Sequence, residues 1–107
     1  MGFVWDDELR HYDFGPGHPL SPIRTVLTYK LIESLKILEA PNCRLISDIE
    51  LATDDDLLRV HHPDFIESVK LASQGTGYRD LSRGLGTDDV HMFEGMHTAA
   101  ARGCGAT

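Results

Sequence analysis

Residues 11 to 24 read His11-Tyr12-Asp13-Phe14-Gly15-Pro16-Gly17-His18-Pro19-Leu20-Ser21-Pro22-Ile23-Arg24. Two imidazoles, a carboxylate and a guanidinium are groups that transfer protons, bind metals or grip anions. Gly15, Pro16, Gly17 and Pro19 hold them on an irregular backbone, because glycine admits positive φ and proline locks φ while removing a donor. Taken alone, the pattern is equally that of a Gly/Pro turn with solvated polar residues.

Other chemistry-bearing residues are scattered further along. His11-Tyr12-Asp13 has H-x-D order, but a zinc site needs three or four converging ligands and no third partner stands at motif spacing. His61 and His62 look like an acid/base pair. Their context, Arg59-Val60-His61-His62-Pro63, is a helix junction rather than a glycine-rich strand end, so capping or packing is their expected role. His91, His97, Cys43 and Cys104 are expected at surface or packing positions. No catalytic residue and no metal ligand is assigned within the chain.

The elements that position these groups follow from periodicity. Phe3-Val4-Trp5 is β-prone without alternation, the pattern of a strand covered on both faces. The Gly/Pro loop follows it, and open α/β sheets place their sites beyond strand ends. Ser21 then Pro22 predicts an N-cap and a first-turn proline. Ile23, Leu27, Leu31, Leu35 and Leu38 form one apolar stripe, and the helix is expected to run until Pro41 ends it. Lys30, Glu33, Lys36 and Glu39 alternate in sign as a solvated side does.

Arg44-Leu45-Ile46-Ser47 is the second predicted strand, parallel to the first through a right-handed crossover. Thr53 with Asp56 predicts a capping box opening a short helix over 54–60. Pro63 restarts a helix whose buried face is Phe65, Ile66, Val69 and Ala72, with Glu67 and Lys70 able to pair. Residues 73–86 are Gly- and Ser-rich, a loop of the length that is functional or mobile. Met96 onward reads as a helix in its first turns.

With 107 residues the chain is at most one domain, able to bury about 60 to 70% of its unfolded surface. An apolar fraction of 41% marks it as globular. The net charge of -7, from 17 acidic and 10 basic residues, comes with scattered basic residues. Nucleic-acid binding needs clustered Lys and Arg to displace counterions, so that class is excluded. Two distant cysteines without a CxxC read as free thiols of a reducing compartment. No apolar run approaches the roughly 18 residues of a membrane span. A soluble, cytoplasmic protein is expected.

Three ordered motifs together resemble the N-terminal part of the zinc-dependent histone deacetylase-like amidohydrolases, most closely their bacterial acetoin-utilisation branch. Residues 12–24 are similar to that family's first active-site loop and first helix. Val60-His61-His62-Pro63-Asp64-Phe65-Ile66 is similar to its H-x-x-(D/E)-(Y/F)-(I/L) segment. Gly84-Leu85-Gly86-Thr87-Asp88-Asp89 through Phe93-Glu94-Gly95-Met96-His97 resembles its second rim loop and the helix that follows.

The resemblance implies an α/β fold: the N-terminal part of the arginase/deacetylase three-layer α/β/α architecture, with parallel strands, crossover helices and an incomplete sheet. His18 and Pro19 would shape the mouth and wall of an acyl-lysine channel. Arg24 would match the arginine beneath the metal, at a channel proposed for acetate exit, where a guanidinium suits a carboxylate. Asp88 or Asp89 would be the rim carboxylate that accepts substrate amides. Counting back from Phe93 favours Asp89, and counting forward from Gly84 favours Asp88. His91 stands where the family commonly has proline.

The family's D-x-H zinc element, later aspartate, Gly-Gly-x-His-His pair and polarising tyrosine have no counterpart in residues 1–107. The chain is therefore expected to be a partial deacetylase domain, contributing channel loops and inactive alone, with Zn2+ bound only in the complete enzyme. Its substrate there would be an acetylated lysine-containing protein or a small acetyl-amide. Exposed apolar faces predict self-association. The competing readings are a stand-alone acidic interaction module that binds a cationic partner, and a fragment resembling an acetylpolyamine amidohydrolase.

Overall fold

A computed structural model describes all residues 1–107. The chain is mixed α/β, with two short parallel strands and helices laid beside them. Strand β1 (Gly2–Val4) pairs with β2 (Arg44–Ile46) in the register Gly2 to Arg44, Phe3 to Leu45 and Val4 to Ile46. The ladder extends past both ends, through Arg44 N–H to Met1 O at 2.9 Å and Trp5 N–H to Ile46 O at 3.0 Å. This is the expected parallel pair, joined by a helical crossover. The sheet stays open at two strands.

That crossover is α1 (Ile23–Ser34). It packs on β1 through Tyr29, whose ring stacks on Trp5 at 4.7 Å and on Phe3 at 6.3 Å. Three details differ from expectation. Pro22 occupies the N-cap and no side chain caps the helix, while Ser21 supplies only its carbonyl to Arg24 N–H. The helix stops before Pro41, because Lys36 turns left-handed at φ 55° and a 3-10 turn, Ile37–Glu39, follows. That reversal sends the chain back towards β2. Finally, the leucine stripe does not face inward: Ile23, Leu27, Leu31 and Leu35 are 55 to 62% exposed. Val26, Tyr29 and Ile32 are the half-buried positions.

Helix α2 (Asp54–Leu57) is shorter than expected but opens on the predicted capping box, Thr53 and Asp56 each accepting from the other's backbone. Helix α3 (Pro63–Ala72) starts at Pro63 with His62 as N-cap, its Nδ1 accepting from Asp64 N–H at 3.3 Å. Lys70 pairs with Asp54 at 2.5 Å, not with Glu67. Helix α4 (Met96–Gly105) is ten residues long, well beyond first turns. It packs against α3 and against the 3-10 turn Asp7–His11.

The core is small and centred on Ala72, Leu85 and Met96, with Phe65, Val69, Tyr78, Val90, Met92 and Phe93 packed around it. Only 10 of 107 residues are buried. The molecule is a slab of 47 × 33 × 18 Å. Its surface of 7376 Å² exceeds by roughly 1,400 Å² what a compact chain of this mass exposes. No helix is long and apolar enough to cross a membrane.

Candidate functional site

The loop after β1 and the loop before α4 meet, and the meeting point is aromatic. Gly15 and Gly17 adopt φ of 93° and 86°, a conformation open to glycine at no steric cost, and this folds the first loop back on itself. Asp13 Oδ1 accepts Gly15 N–H at 2.9 Å and stiffens the turn. Phe14 is driven inward and is 8% exposed. Around it stand Tyr12 at 5.2 Å, His18 at 4.6 Å, Phe93 at 5.8 Å and His91 at 6.4 Å between ring centroids. Edge-to-face and tilted geometries dominate, as ring quadrupoles prefer.

His18 is held at both ring nitrogens. Nδ1 accepts Leu20 N–H at 3.1 Å, so that nitrogen carries no proton. Nε2 lies 3.2 Å from the Asp89 carbonyl oxygen, which can only accept, so Nε2 donates. These bonds fix the neutral imidazole in its Nε2–H tautomer. His18, expected at the mouth, and Asp89, one of the two candidates for the rim carboxylate, are thus brought together, through the Asp89 backbone. The carboxylates of Asp88 and Asp89 both reach solvent, as does Pro19. Arg24 is the second residue of α1, exposed and without an ion-pair or hydrogen-bond partner for its guanidinium.

His91 has a role that the sequence did not reveal. Its Nδ1 lies 3.1 Å from the Phe14 carbonyl oxygen, so Nδ1 donates, and its ring sits 5.0 Å from that of His18. The one available signal was its place two residues after Asp89 in the rim motif.

The rim loop has a second support in the stretch expected to be a long loop. Asp80 and Leu85 exchange both backbone hydrogen bonds, at 3.1 and 2.9 Å, around a 3-10 turn, Leu81–Arg83. The Asp80 carboxylate accepts from Ser82 Oγ at 2.6 Å, Arg83 Nη1 at 2.5 Å and Ser68 Oγ at 3.0 Å. The Ser82 hydroxyl and the Arg83 guanidinium are the main reasons its pKa falls from 3.8 to about 2. This anchor ties the start of the rim loop to α3.

His61 packs its ring on Phe65 at 5.3 Å and His62 caps α3, so the adjacent pair is structural, as expected. His97 lines an apolar cavity of about 300 Å³ with Tyr12, Phe65, Ile66, Met96 and Cys104. Burial holds its pKa below the usual imidazole value, and its Nε2 is buried without a partner. No three His, Cys, Asp or Glu side chains converge as a metal ligand set. The residues present therefore do not fit the zinc that the resemblance implies.

The histone deacetylase domain model matches residues 18–107. The acetoin utilization protein AcuC of Bacillus subtilis is 35% identical over 107 residues, covering 98% of this chain and 27% of that protein. Acetoin utilization proteins AcuC from Staphylococcus xylosus and Staphylococcus aureus are 33% and 32% identical, over 94% and 92% of this chain and 26% and 25% of theirs. The chain thus spans about a quarter of the length of these relatives. No solved structure matches it.

Proposed function

From membership in the histone deacetylase domain family, to which this chain belongs, we propose that residues 1–107 supply the entrance of a zinc-dependent deacetylase acting on acetyl-lysine-type amides. The observation that carries this reading is the junction of the two loops, where His18 is bonded to the backbone of Asp89 at 3.2 Å. A stiff apolar wall of Phe14, His18 and Phe93 suits the methylenes of an acylated lysine. Exposed carboxylates at Asp88 and Asp89 suit the backbone amides on either side of it, since an ionised carboxylate only accepts.

On this reading His18 and Pro19 form the wall and mouth, Asp88 or Asp89 holds the substrate backbone, and Arg24 faces the acetate route. The chain makes the first strands and helices of a three-layer α/β/α domain. Zinc would be held by residues outside 1–107 of a soluble cytoplasmic enzyme, where it would supply Lewis-acid activation of water.

Purified 1–107 is the direct test. It is expected to bind no stoichiometric zinc and to release no acetate from an acetyl-lysine peptide. One equivalent of tightly held zinc by elemental analysis, with acetate release, would refute the division of labour.

A further inference from the structure

We propose that His91 is a positioning residue that latches the rim loop onto the first loop, and so sets the height of Asp88 and Asp89 above the mouth. The inference rests on the entrance reading for its consequence, but not for its geometry. Two hydrogen bonds cross between the loops, and they run in opposite directions. His18 of the first loop donates from Nε2 to the Asp89 carbonyl at 3.2 Å, and His91 of the rim loop donates from Nδ1 to the Phe14 carbonyl at 3.1 Å.

Each imidazole thus holds the backbone of the other's loop, and the two rings lie against each other at 5.0 Å, with Phe14 beneath both. A single bond would leave a hinge, whereas two bonds from different residues fix an orientation. The rim loop is also anchored at its start by the Asp80–Leu85 pair, at its end by Gly95 N–H to Ser73 O at 3.0 Å, and by Val90, Met92 and Phe93 packing on the core. Within the rim loop, Gly86 N–H to Val90 O at 3.0 Å and Val90 N–H to Thr87 Oγ1 at 3.3 Å close the turn that carries the aspartates, and the His18 and His91 bonds tie that turn to the first loop. A residue without a side-chain donor at position 91 leaves one of the two.

The two ring nitrogens of histidine give the test its resolution. Asparagine places an amide N–H close to where Nδ1–H stood, while glutamine places it near Nε2–H. In the 107-residue chain, amide hydrogen exchange is followed by mass spectrometry on peptides covering 13–20 and 84–93. His91→Gln and His91→Ala are expected to speed exchange in both peptides about three- to tenfold, the range one neutral hydrogen bond supplies. His91→Asn should stay near the parent.

Equal exchange in His91→Asn and His91→Gln, or acceleration confined to 84–93, would overturn the latch and leave His91 as packing. Should His91→Ala loosen α3 and β1 as well, the Asn and Gln pair still decides. No acyl-lysine substrate enters the measurement, so the latch can fail while the entrance reading stands, and the reverse.

Discussion

Asp80 shows how one side chain organises a loop that composition alone describes as Gly- and Ser-rich. Three donors meet its carboxylate, and its side chain is 10% exposed. The pKa lies below the ordinary 3.8, at about 2, so the stabilising contribution is fully present above the ordinary value. It is lost as pH falls through about 2. Asp80→Asn should therefore flatten the acid limb of stability between about pH 4 and pH 2. Urea midpoints across that range check this, and an unchanged acid limb in the variant would count against the anchor. Ser82 and Arg83 are near neighbours of Asp80 in the chain, whereas Ser68 reaches the same carboxylate from α3, 12 residues away. A greater distance in sequence hid His91 from Phe14, 77 residues away.

At the scale of elements, the starts of α2 and α3 and the buried face of α3 were legible, whereas both ends of α1 and its buried face were not. The capping box at Thr53 and the break at Pro63 depend on neighbours a few residues apart, and both stand as expected. Helix α1 carries Val26, Tyr29 and Ile32 beside the leucine stripe, so its apolar arc is wide, and periodicity could not choose which part of it β1 would cover. Tyr29 decided it by stacking on Trp5.

Helix α4 offers a sharper trial. Gly105 passes so close to the backbone at Glu50 that a Cβ there would overlap the carbonyl oxygen, whereas a Cβ at Gly103 meets nothing within 4 Å. Helix propensity alone favours alanine at both by about 1 kcal/mol. Gly103→Ala should follow propensity and stabilise by about 0.5 to 1 kcal/mol. Gly105→Ala should reverse the sign and cost about 1 to 3 kcal/mol through overpacking. Stabilisation by both in chemical denaturation would refute the close approach.

Across the whole molecule the pattern is of a domain whose surfaces are not all covered. The excess surface, the open two-stranded sheet and the exposed face of α1 are separate signs of it. Composition pointed to the globular class and apolar periodicity to the α/β arrangement of 1–46, whereas the leucine stripe of α1 lies exposed with no partner among residues 1–107. Isolated 1–107 should self-associate through Ile23, Leu27, Leu31 and Leu35. Light scattering should show mass rising with concentration, and Leu27→Glu with Leu31→Lys should suppress the rise. A monomer at every concentration would contradict this.

The most direct measurement of the division between entrance and reactive centre is acetate release by a chimera. In it residues 1–107 replace the matching quarter of the Bacillus subtilis relative, and acetyl-lysine peptide is the substrate. We expect zinc uptake and turnover in the chimera, with none in 1–107 alone, and an increased KM for whichever of Asp88→Ala or Asp89→Ala removes the rim contact. A folded, zinc-loaded chimera that releases no acetate, or turnover by 1–107 alone, would contradict the account.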